Sequence, residues 1–328
     1  MDTLTNSQIA ELLAAAAESA KQPLQKALRR ASQKSFLWPE EAAQVIQDGR
    51  SLEELAGVGP SLSRIIKRWF DNSPDVPKPP EIRSGFLTQM QAQKILAKNP
   101  SWRCSVKGDL QIHTLWSDGS GSIAEMTEAA AEYGHSYIAI TDHAKGLKIA
   151  GGINEEQLDV QAQEIEQVNN NMASRPKPFR VLRSIELNLN LAGGGDMEPE
   201  ALAKLDIVLA CFHSALRKKE DQTERYLVAL RNPTIQILGH PRGRIYNFRL
   251  GLTADWRRVF DTAAELDKAI EIDSYPDRQD ISPDLLKLAA KAGCRISIGT
   301  DSTGHLNCAS SSLAWHLHCL PESSMTAF

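Results

Sequence analysis

The sequence predicts an α/β protein: a closed barrel of seven strand–helix units preceded by a small all-helical domain. Three observations lead there. Residues 7–70 carry almost no strand signal, whereas from residue 108 short β-rich runs alternate with helical patterns. That order builds a parallel sheet with crossover helices. Each run is followed by a polar residue, which in such a barrel lies at the carboxyl end, where active sites form. Between the two patterns, Pro74, Pro77, Pro79 and Pro80 cannot hold a helix and make a semi-rigid extended spacer. The 328 residues therefore divide into a helical domain, 1–72, a linker with a connecting helix, 73–104, and the barrel, 105–328. About 150 residues per domain gives the same count of two.

In the front, Ile9, Leu12 and Leu13, then Leu24, Ala27, Leu28 and Ala31, recur at helical spacing. Pro39-Glu40-Glu41 predicts a helix start, with Pro in the first turn and acids beside the positive end of the dipole; Gly49 stops that helix. Gly57-Val58-Gly59 predicts a tight turn before a helix carrying Leu62, Ile65, Ile66 and Trp69. Outward-pointing N–H groups in the turn and the dipole of the following helix make a seat for phosphate. This stretch resembles a helix-hairpin-helix, which grips DNA backbone without reading bases. Arg64, Lys67 and Arg68 are placed to supplement it. The bland alternative is an ordinary helical turn in a small bundle, since residues 1–72 carry as many acids as bases. Residues 81–98 are expected to form one connecting helix.

The barrel strands are expected at Leu110–Ile112, Tyr137–Thr141, Val181–Ile185, Ile207–Phe212, Ile235–Leu238, Ala269–Ile272 and Ile296–Thr300. They lead into His113, Asp142-His143, Glu186, His213, Gly239-His240, Asp273 and Asp301. Helices are expected near 122–134, 154–172, 199–205, 221–231, 254–266 and 282–292. Imidazole and carboxylate are the ligands of Zn²⁺, Mn²⁺ and Fe²⁺, and neighbouring metals are usually bridged by a carboxylate. A lone His at a strand end is ordinarily a hydrogen-bonding residue. His113, His143, His213, His240, Glu186 and Asp301 converging on one mouth instead predict a metal pocket. His135, His316 and His318 read as structural or surface residues.

Composition excludes several classes. Hydrophobic residues make up 42% and charged residues 24%, which excludes whole-chain disorder, collagen and coiled coil. A net charge of −4 excludes a generally basic nucleic-acid coat but not a local phosphate site. No run of eighteen apolar residues and no signal-peptide pattern occurs, so no membrane partner is expected. Cys104, Cys211, Cys294, Cys308 and Cys319, odd in number and without a CxxC pair, read as reduced thiols and a cytoplasmic setting.

The runs Gly108-Asp-Leu-Gln-Ile-His-Thr-Leu-Trp-Ser-Asp-Gly119, Ile140-Thr-Asp-His143 and Gly239-His-Pro-Arg-Gly-Arg244 resemble the polymerase-and-histidinol-phosphatase (PHP) family. The likeness is to the PHP domain at the C-terminus of bacterial family X DNA polymerases, and Glu271–Asp280 and Gly299–Asp301 extend it across about residues 105–307. The helical front is similar to the N-terminal domain of those polymerases, but too few residues separate Trp69 from Gly108 to hold a polymerase palm. The resemblance implies a distorted seven-unit barrel that binds up to three divalent metals and hydrolyses phosphoesters. It puts His113, Asp118, His143, Glu186, His213, His240 and Asp301 at ligand positions, with Glu186 bridging and catalytic. It gives Arg244 and Arg278 to the phosphate.

Two positions depart from the family pattern. Gln111 stands where the first His of His-x-His belongs, and Asp301 is followed by Ser302 and Thr303 where Asp-Ala-His is usual. Fewer than three metals, Mn or Zn or Fe, are therefore expected. Gln111, Asp273 (commonly Asn) and His305 are the weaker candidates for making up the set. The expected activity is hydrolysis of a phosphoester in DNA, as a 3′–5′ exonuclease or 3′-end phosphatase. A small-metabolite phosphatase resembling histidinol phosphatase and a degenerate barrel acting as a binding module stay open. Oligomeric state is not legible.

Overall fold

The computed structural model describes residues 3–101 and 105–304. The front is built from α1 (Asn6–Ser19), α2 (Leu24–Ser35), α3 (Ala42–Gln47) and α4 (Pro60–Asn72). Thr5 and Gln8 form a capping box at the start of α1. Ile9, Leu13, Leu28, Trp38, Leu52 and Ile66 are fully buried in a core of the front's own.

α3 starts at Ala42, three residues after Pro39. The Glu41 carboxylate accepts from the Asn6 N–H at 2.8 Å, and the Asn6 amide oxygen accepts from the Ala42 N–H at 2.9 Å. This exchange ties the starts of α1 and α3 together, so a tertiary contact, not the proline, sets the boundary.

Residues 81–98 do not form one helix. A single 3-10 turn at Glu81–Arg83 is followed by Gly85 at φ +69°, a left-handed conformation that stops a helix, and α5 (Gln89–Lys98) restarts from a Thr88–Gln91 capping box. The break frees Phe86 to pack at 5.3 Å against Tyr246, which also touches Phe36 at 4.3 Å. Beside it Arg83 pairs with Glu11 at 2.8 Å, both nearly buried, and Gln279 exchanges two 2.9 Å hydrogen bonds with the backbone of Leu87. Linker, front and barrel are thus joined through one polar and aromatic seam.

The barrel strands are β1 (Gly108–Ile112), β2 (Tyr137–Ile140), β3 (Arg180–Arg183), β4 (Glu186–Leu189), β5 (Leu209–Phe212), β6 (Ile237–Leu238), β7 (Ala269–Asp273) and β8 (Arg295–Gly299). All neighbours pair parallel, β1-β2-β3 in one sheet and β4 to β8 in the other. The expected third strand is bent into two. Tyr137 pairs with Arg180 and His143 with Glu186, so residues 180–189 keep one register while turning from β2 to β5. Glu186 therefore lies at the bend, inside the strand pair. The ring closes where Ile112 pairs with Ser302 and the His113 N–H donates to the Ser302 carbonyl at 2.8 Å.

The crossover helices are α6 (Ile123–Tyr133), α7 (Glu155–Ala173), α8 (Pro199–Leu202), α9 (Thr223–Arg231), α10 (Trp256–Glu265) and α11 (Pro283–Ala292). Ile123 and Met126 of α6 and Ile165 and Val168 of α7 bury against Ile138, Ile140 and Val181. Leu230, Val259, Phe260 and Leu286 do the same on the opposite side.

Candidate metal centre

Glu186 is the hub of the barrel mouth and is 1% exposed. Its Oε1 lies 2.8 Å from His213 Nε2 and 2.9 Å from His240 Nε2. Its Oε2 lies 3.3 Å from His113 Nε2 and 3.2 Å from His143 Nδ1. Two imidazoles therefore face each carboxylate oxygen. The His113 and His143 rings stack at 4.4 Å, and His213 stands edge-on to both His143 and His240. His113 Nε2 also meets Asp301 Oδ1 at 3.0 Å, and Asp118 Oδ1 lies 3.5 Å from His143 Nε2 and 3.7 Å from His113 Nδ1.

Burial pushes the Glu186 carboxyl up, but the surrounding His143, His213 and His113 outweigh it and hold it well below the ordinary carboxylate range. Asp301 behaves alike: burial opposes, Arg278 and His113 prevail, and its carboxyl is held at about 2. Two carboxylates stay ionised in a nearly dry mouth, a costly arrangement unless cations compensate it.

The donor set fits divalent metals. Glu186 Oε2, His113 Nδ1, His143 Nδ1 and His240 Nδ1 are buried without a hydrogen-bond partner. Three-residue groups with ligand atoms within 4.8 Å of one another are His113–Glu186–Asp301, His143–Glu186–His213, Glu186–Cys211–His240 and His113–Asp118–His143. All seven residues that the sequence singled out as ligands are thus brought together. His240 and Asp301 take left-handed backbone conformations, φ 22° and 51°, of the sparsely populated kind found at functional sites.

The weaker candidates fall elsewhere. Gln111 is fully buried, and its amide donates to both Glu271 carboxylate oxygens at 2.9 and 3.1 Å. Burial and the Asp273 charge push the Glu271 carboxyl well up, and its Oε2 also accepts from the His240 N–H at 2.7 Å. Gly299 lines this contact so closely that a Cβ would stand 2.6 Å from Gln111 Cβ. Asp273 joins none of the ligand groups; burial and Asp301 push its carboxyl up, and it lies 3.6 Å from Arg278. His305 lies outside the described residues.

The two arginines separate. Arg278 Nη1 meets Asp301 Oδ2 at 2.9 Å and keeps part of its fork exposed at the mouth. Arg244 does not reach the mouth with its fork. It is buried, donates to the carbonyls of Gly85 at 2.7 Å and Arg278 at 3.0 Å, and lies 3.8 Å over the Phe86 ring. Burial pulls it down to about 10. Arg244 is therefore a clamp on the linker seam.

Several supporting residues escaped the sequence reading. Asn188 Oδ1 holds His213 Nδ1 at 3.1 Å, leaving Nε2 for Glu186, the kind of outer hydrogen bond that orients ligating imidazoles. Asp142 accepts from the Thr114 N–H, the Thr114 and Ser117 hydroxyls and the Gln161 amide, fixing the turn that carries Asp118. Asp280 Oδ2 accepts from the N–H groups of Arg242, Gly243 and Arg244 and so shapes the loop after His240. The available signal was strand alternation: Asn188, Cys211 and Glu271 lie two residues from Glu186, His213 and Asp273, on the same faces.

The Gly57-Val58-Gly59 turn lies in the front. Gly57 takes φ +84°, Val58 is buried in the helical core, and Gly59 precedes α4 without any side-chain cap. Arg64 and Lys67 are exposed on α4. Cys211 and Cys294 are free and buried; Cys104, Cys308, Cys319, His316 and His318 lie outside the described residues. Among the described residues no helix is long and apolar enough to cross a membrane.

Comparison with known proteins agrees with this geometry. The PHP domain model matches residues 109–301, more than half of the chain. The DNA polymerase/3′-5′ exonuclease PolX of Bacillus subtilis is 35% identical over 226 residues, covering 68% of this chain but only 38% of the Bacillus protein. A "probable phosphatase" of Caldanaerobacter subterraneus subsp. tengcongensis is 30% identical over 209 residues, covering 59% of this chain and 75% of that protein. A crystal structure of histidinol phosphate phosphatase from Lactococcus lactis, complexed with zinc, L-histidinol and phosphate, aligns over 66% of this chain and 94% of its own at TM-score 0.47 and 18% identity. The chain belongs to the PHP family, and its barrel is that of a metal-dependent phosphoesterase.

Proposed function

We propose that this chain hydrolyses phosphoesters in DNA, as a 3′–5′ exonuclease or 3′-end phosphatase, with residues 1–72 gripping the backbone and residues 105–328 doing the chemistry. The observation that carries the reading is the seam between the two. Phe36 of the front, Phe86 of the linker and Tyr246 of the barrel pack together, and the Tyr246 N–H donates at 2.7 Å to the carbonyl of Asp277, next to the mouth residue Arg278. This seam supports a reading in which DNA gripped by the front is presented to the mouth. The uncapped start of α4 at Gly59, with Gly57, Val58, Arg64 and Lys67, supports a backbone grip that needs no base contacts. The likeness to a Bacillus protein named as a DNA polymerase and exonuclease supports the same substrate.

In this reading His113, Glu186 and Asp301 would hold one cation and His143, Glu186 and His213 a second, with His240 beside Glu186 and Asp118 beside His113 and His143 as further donors. Zn²⁺, Mn²⁺ or Fe²⁺ suits such donors and, when bound, supplies Lewis acidity to the phosphoryl group and acidity to water. Asn188 keeps His213 Nε2 turned to the mouth, and Glu271 steadies the His240 backbone. Arg278, paired with Asp301 and partly exposed, offers its planar fork to the charge that grows on the phosphate.

The test is Mn²⁺-dependent hydrolysis of a 3′-labelled oligonucleotide beside p-nitrophenyl phosphate. Glu186→Ala is expected to lower both rates by about a thousandfold, the upper range for losing a preorganised electrostatic group. Equal rates in parent and variant would sink the site assignment. Turnover of p-nitrophenyl phosphate without oligonucleotide cleavage would move the substrate to a small metabolite and leave the front structural.

A further inference from the structure

Helix α2 carries a charge pattern that the front does not need for folding. Leu28, Ala31, Ser32 and Ser35 are buried against the rest of the front. Lys26, Arg29, Arg30, Gln33 and Lys34 are all exposed, and the helix holds no acidic residue. Like charges at i,i+3 and i,i+4, here Lys26 with Arg29 and Arg30, and Arg30 with Lys34, oppose helix formation. None of the four cations makes an ion pair with a described residue, whereas Arg50, Arg83, Lys94 and Arg175 are all paired.

This face borders a groove of about 600 Å³ between the front and the barrel. Lys26, Arg29, Arg30 and Gln33 line one wall, and Asn247 and Phe248 of the barrel line the other. The acid on the groove, Glu18, is taken up by Arg83 at 3.1 Å. Phe248 is 52% exposed, unusual for so large an apolar ring, and the Arg217 guanidinium lies 4.4 Å over it.

Two features lie near this face. Lys34 lies against the Gly57 turn, since a Cβ on Gly57 would stand 3.4 Å from Lys34 Cβ, and is within electrostatic reach of Asp277. Arg249 is within electrostatic reach of Arg217 and Arg278 and of the acids Asp280 and Asp277, and Arg278 holds Asp301 in the mouth.

We propose that α2 and Phe248 form a guide for single-stranded DNA. The cations Lys26, Arg29, Arg30 and Lys34 track the backbone from the hairpin, Phe248 stacks a base, and Arg249 and Arg278 receive the strand at the metal mouth. The guide rests on the DNA reading above and adds the route and its residues. An unpaired cationic stripe beside an exposed aromatic is the general chemistry of single-strand binding, in which phosphates meet charge and bases meet rings. A duplex is not required, and no base is read.

The experiment is binding of a fluorescent deoxythymidine oligonucleotide to the full chain by anisotropy across a salt series, with Mn²⁺ omitted to prevent cleavage. For single strands each phosphate contact contributes about −0.7 to the slope of log K against log salt. Arg29→Gln with Arg30→Gln is expected to flatten the slope by about 1.4 at unchanged melting temperature. Lys287→Gln with Lys291→Gln, on the exposed face of α11, removes the same charge and is expected to leave the slope alone. Phe248→Ala is expected to weaken binding about tenfold without changing the slope.

An unchanged slope in the α2 variant, while Gly57→Ala with Gly59→Ala weakens binding, would overturn the guide and leave the DNA reading standing. Equal flattening by the α11 pair would overturn it as an effect of net charge. Absence of salt-dependent binding by the parent chain would remove the DNA reading and the guide together.

Discussion

The two cores of this molecule are built on opposite terms. In the front, the large buried side chains are mostly apolar, from Ile9 and Leu13 to Trp38 and Ile66, with Asn6, Ser32, Ser35 and Ser63 buried among them, and the charges are at the surface or in the seam. In the barrel, the mouth end of the interior is filled with ionisable groups: His113, Glu186, His240, Glu271, Asp273 and Asp301 are each no more than 6% exposed. An apolar core stabilises by being dry. A dry polar core does the reverse unless its charges are compensated, by Arg278 for Asp301 and by cations for Glu186. The front is thus closed by its own side chains, while the barrel mouth is expected to be completed by cations.

The sharpest way to break that contrast is to remove the metals. Chelation at neutral pH is expected to destabilise the barrel by about 3–4 kcal/mol, the linkage expected for a ligand at 100 to 1,000 times its Kd. For a domain of this size that lowers its melting temperature by roughly 8 °C. Differential scanning calorimetry reads it, and a melting profile indifferent to chelator and to added Mn²⁺ would mean the mouth's charges are settled without cations.

A smaller effect tests the seam, where the front does carry buried charge. Arg83→Met leaves Glu11 nearly buried and unpaired, and is expected to cost about 3 kcal/mol, the lower range for breaking such a pair. The loss should appear as protease cleavage in the 73–88 segment before either core melts. Cleavage no faster than in the parent chain would show that the aromatic contacts of Phe36, Phe86 and Tyr246 hold the seam alone.

The smallest effect sharpens the mouth itself. Gln111→His restores an imidazole beside His113 but removes the amide that donates to Glu271. Because Glu271 can hydrogen-bond an imidazole nitrogen in turn, Mn²⁺ affinity is expected to rise about tenfold, within the range for a single supporting contact at a metal. Isothermal titration checks it. Unchanged affinity would mean that the position serves only to hold Glu271 and to pack against Gly299.

Much of this was legible in the sequence, for identifiable reasons. Strand alternation and the polar residue after each run located His113, His143, His213, His240 and Asp301, because a parallel barrel brings the ends of its strands to one rim. Glu186 was found for the same reason, although its strand runs on to Leu189. Arg244 was misplaced because its motif says nothing about the carbonyls of Gly85 and Arg278, which lie far away in the chain and take its fork. Residues 81–98 carry helical periodicity, but Gly85 and Thr88 break and restart the helix, so that Phe86 can reach Tyr246. The cations of α2 were legible as residues and invisible as a surface, since their meaning depends on Phe248, more than two hundred positions later.

What the sequence by itself determined is local or periodic: the helical front, the proline break, the alternation of strand and helix, and the ring of ligand types at the strand ends. These follow from propensities and repeats that act within a few residues. Only the tertiary structure decided which charges are paired and which are left waiting. Glu186 facing four imidazoles, Gln111 turned to Glu271, Arg244 spent on the linker and α2 left unpaired over a groove are all outcomes of long-range packing. Electrostatic compensation is a property of distance in space, and no spacing along the chain encodes it.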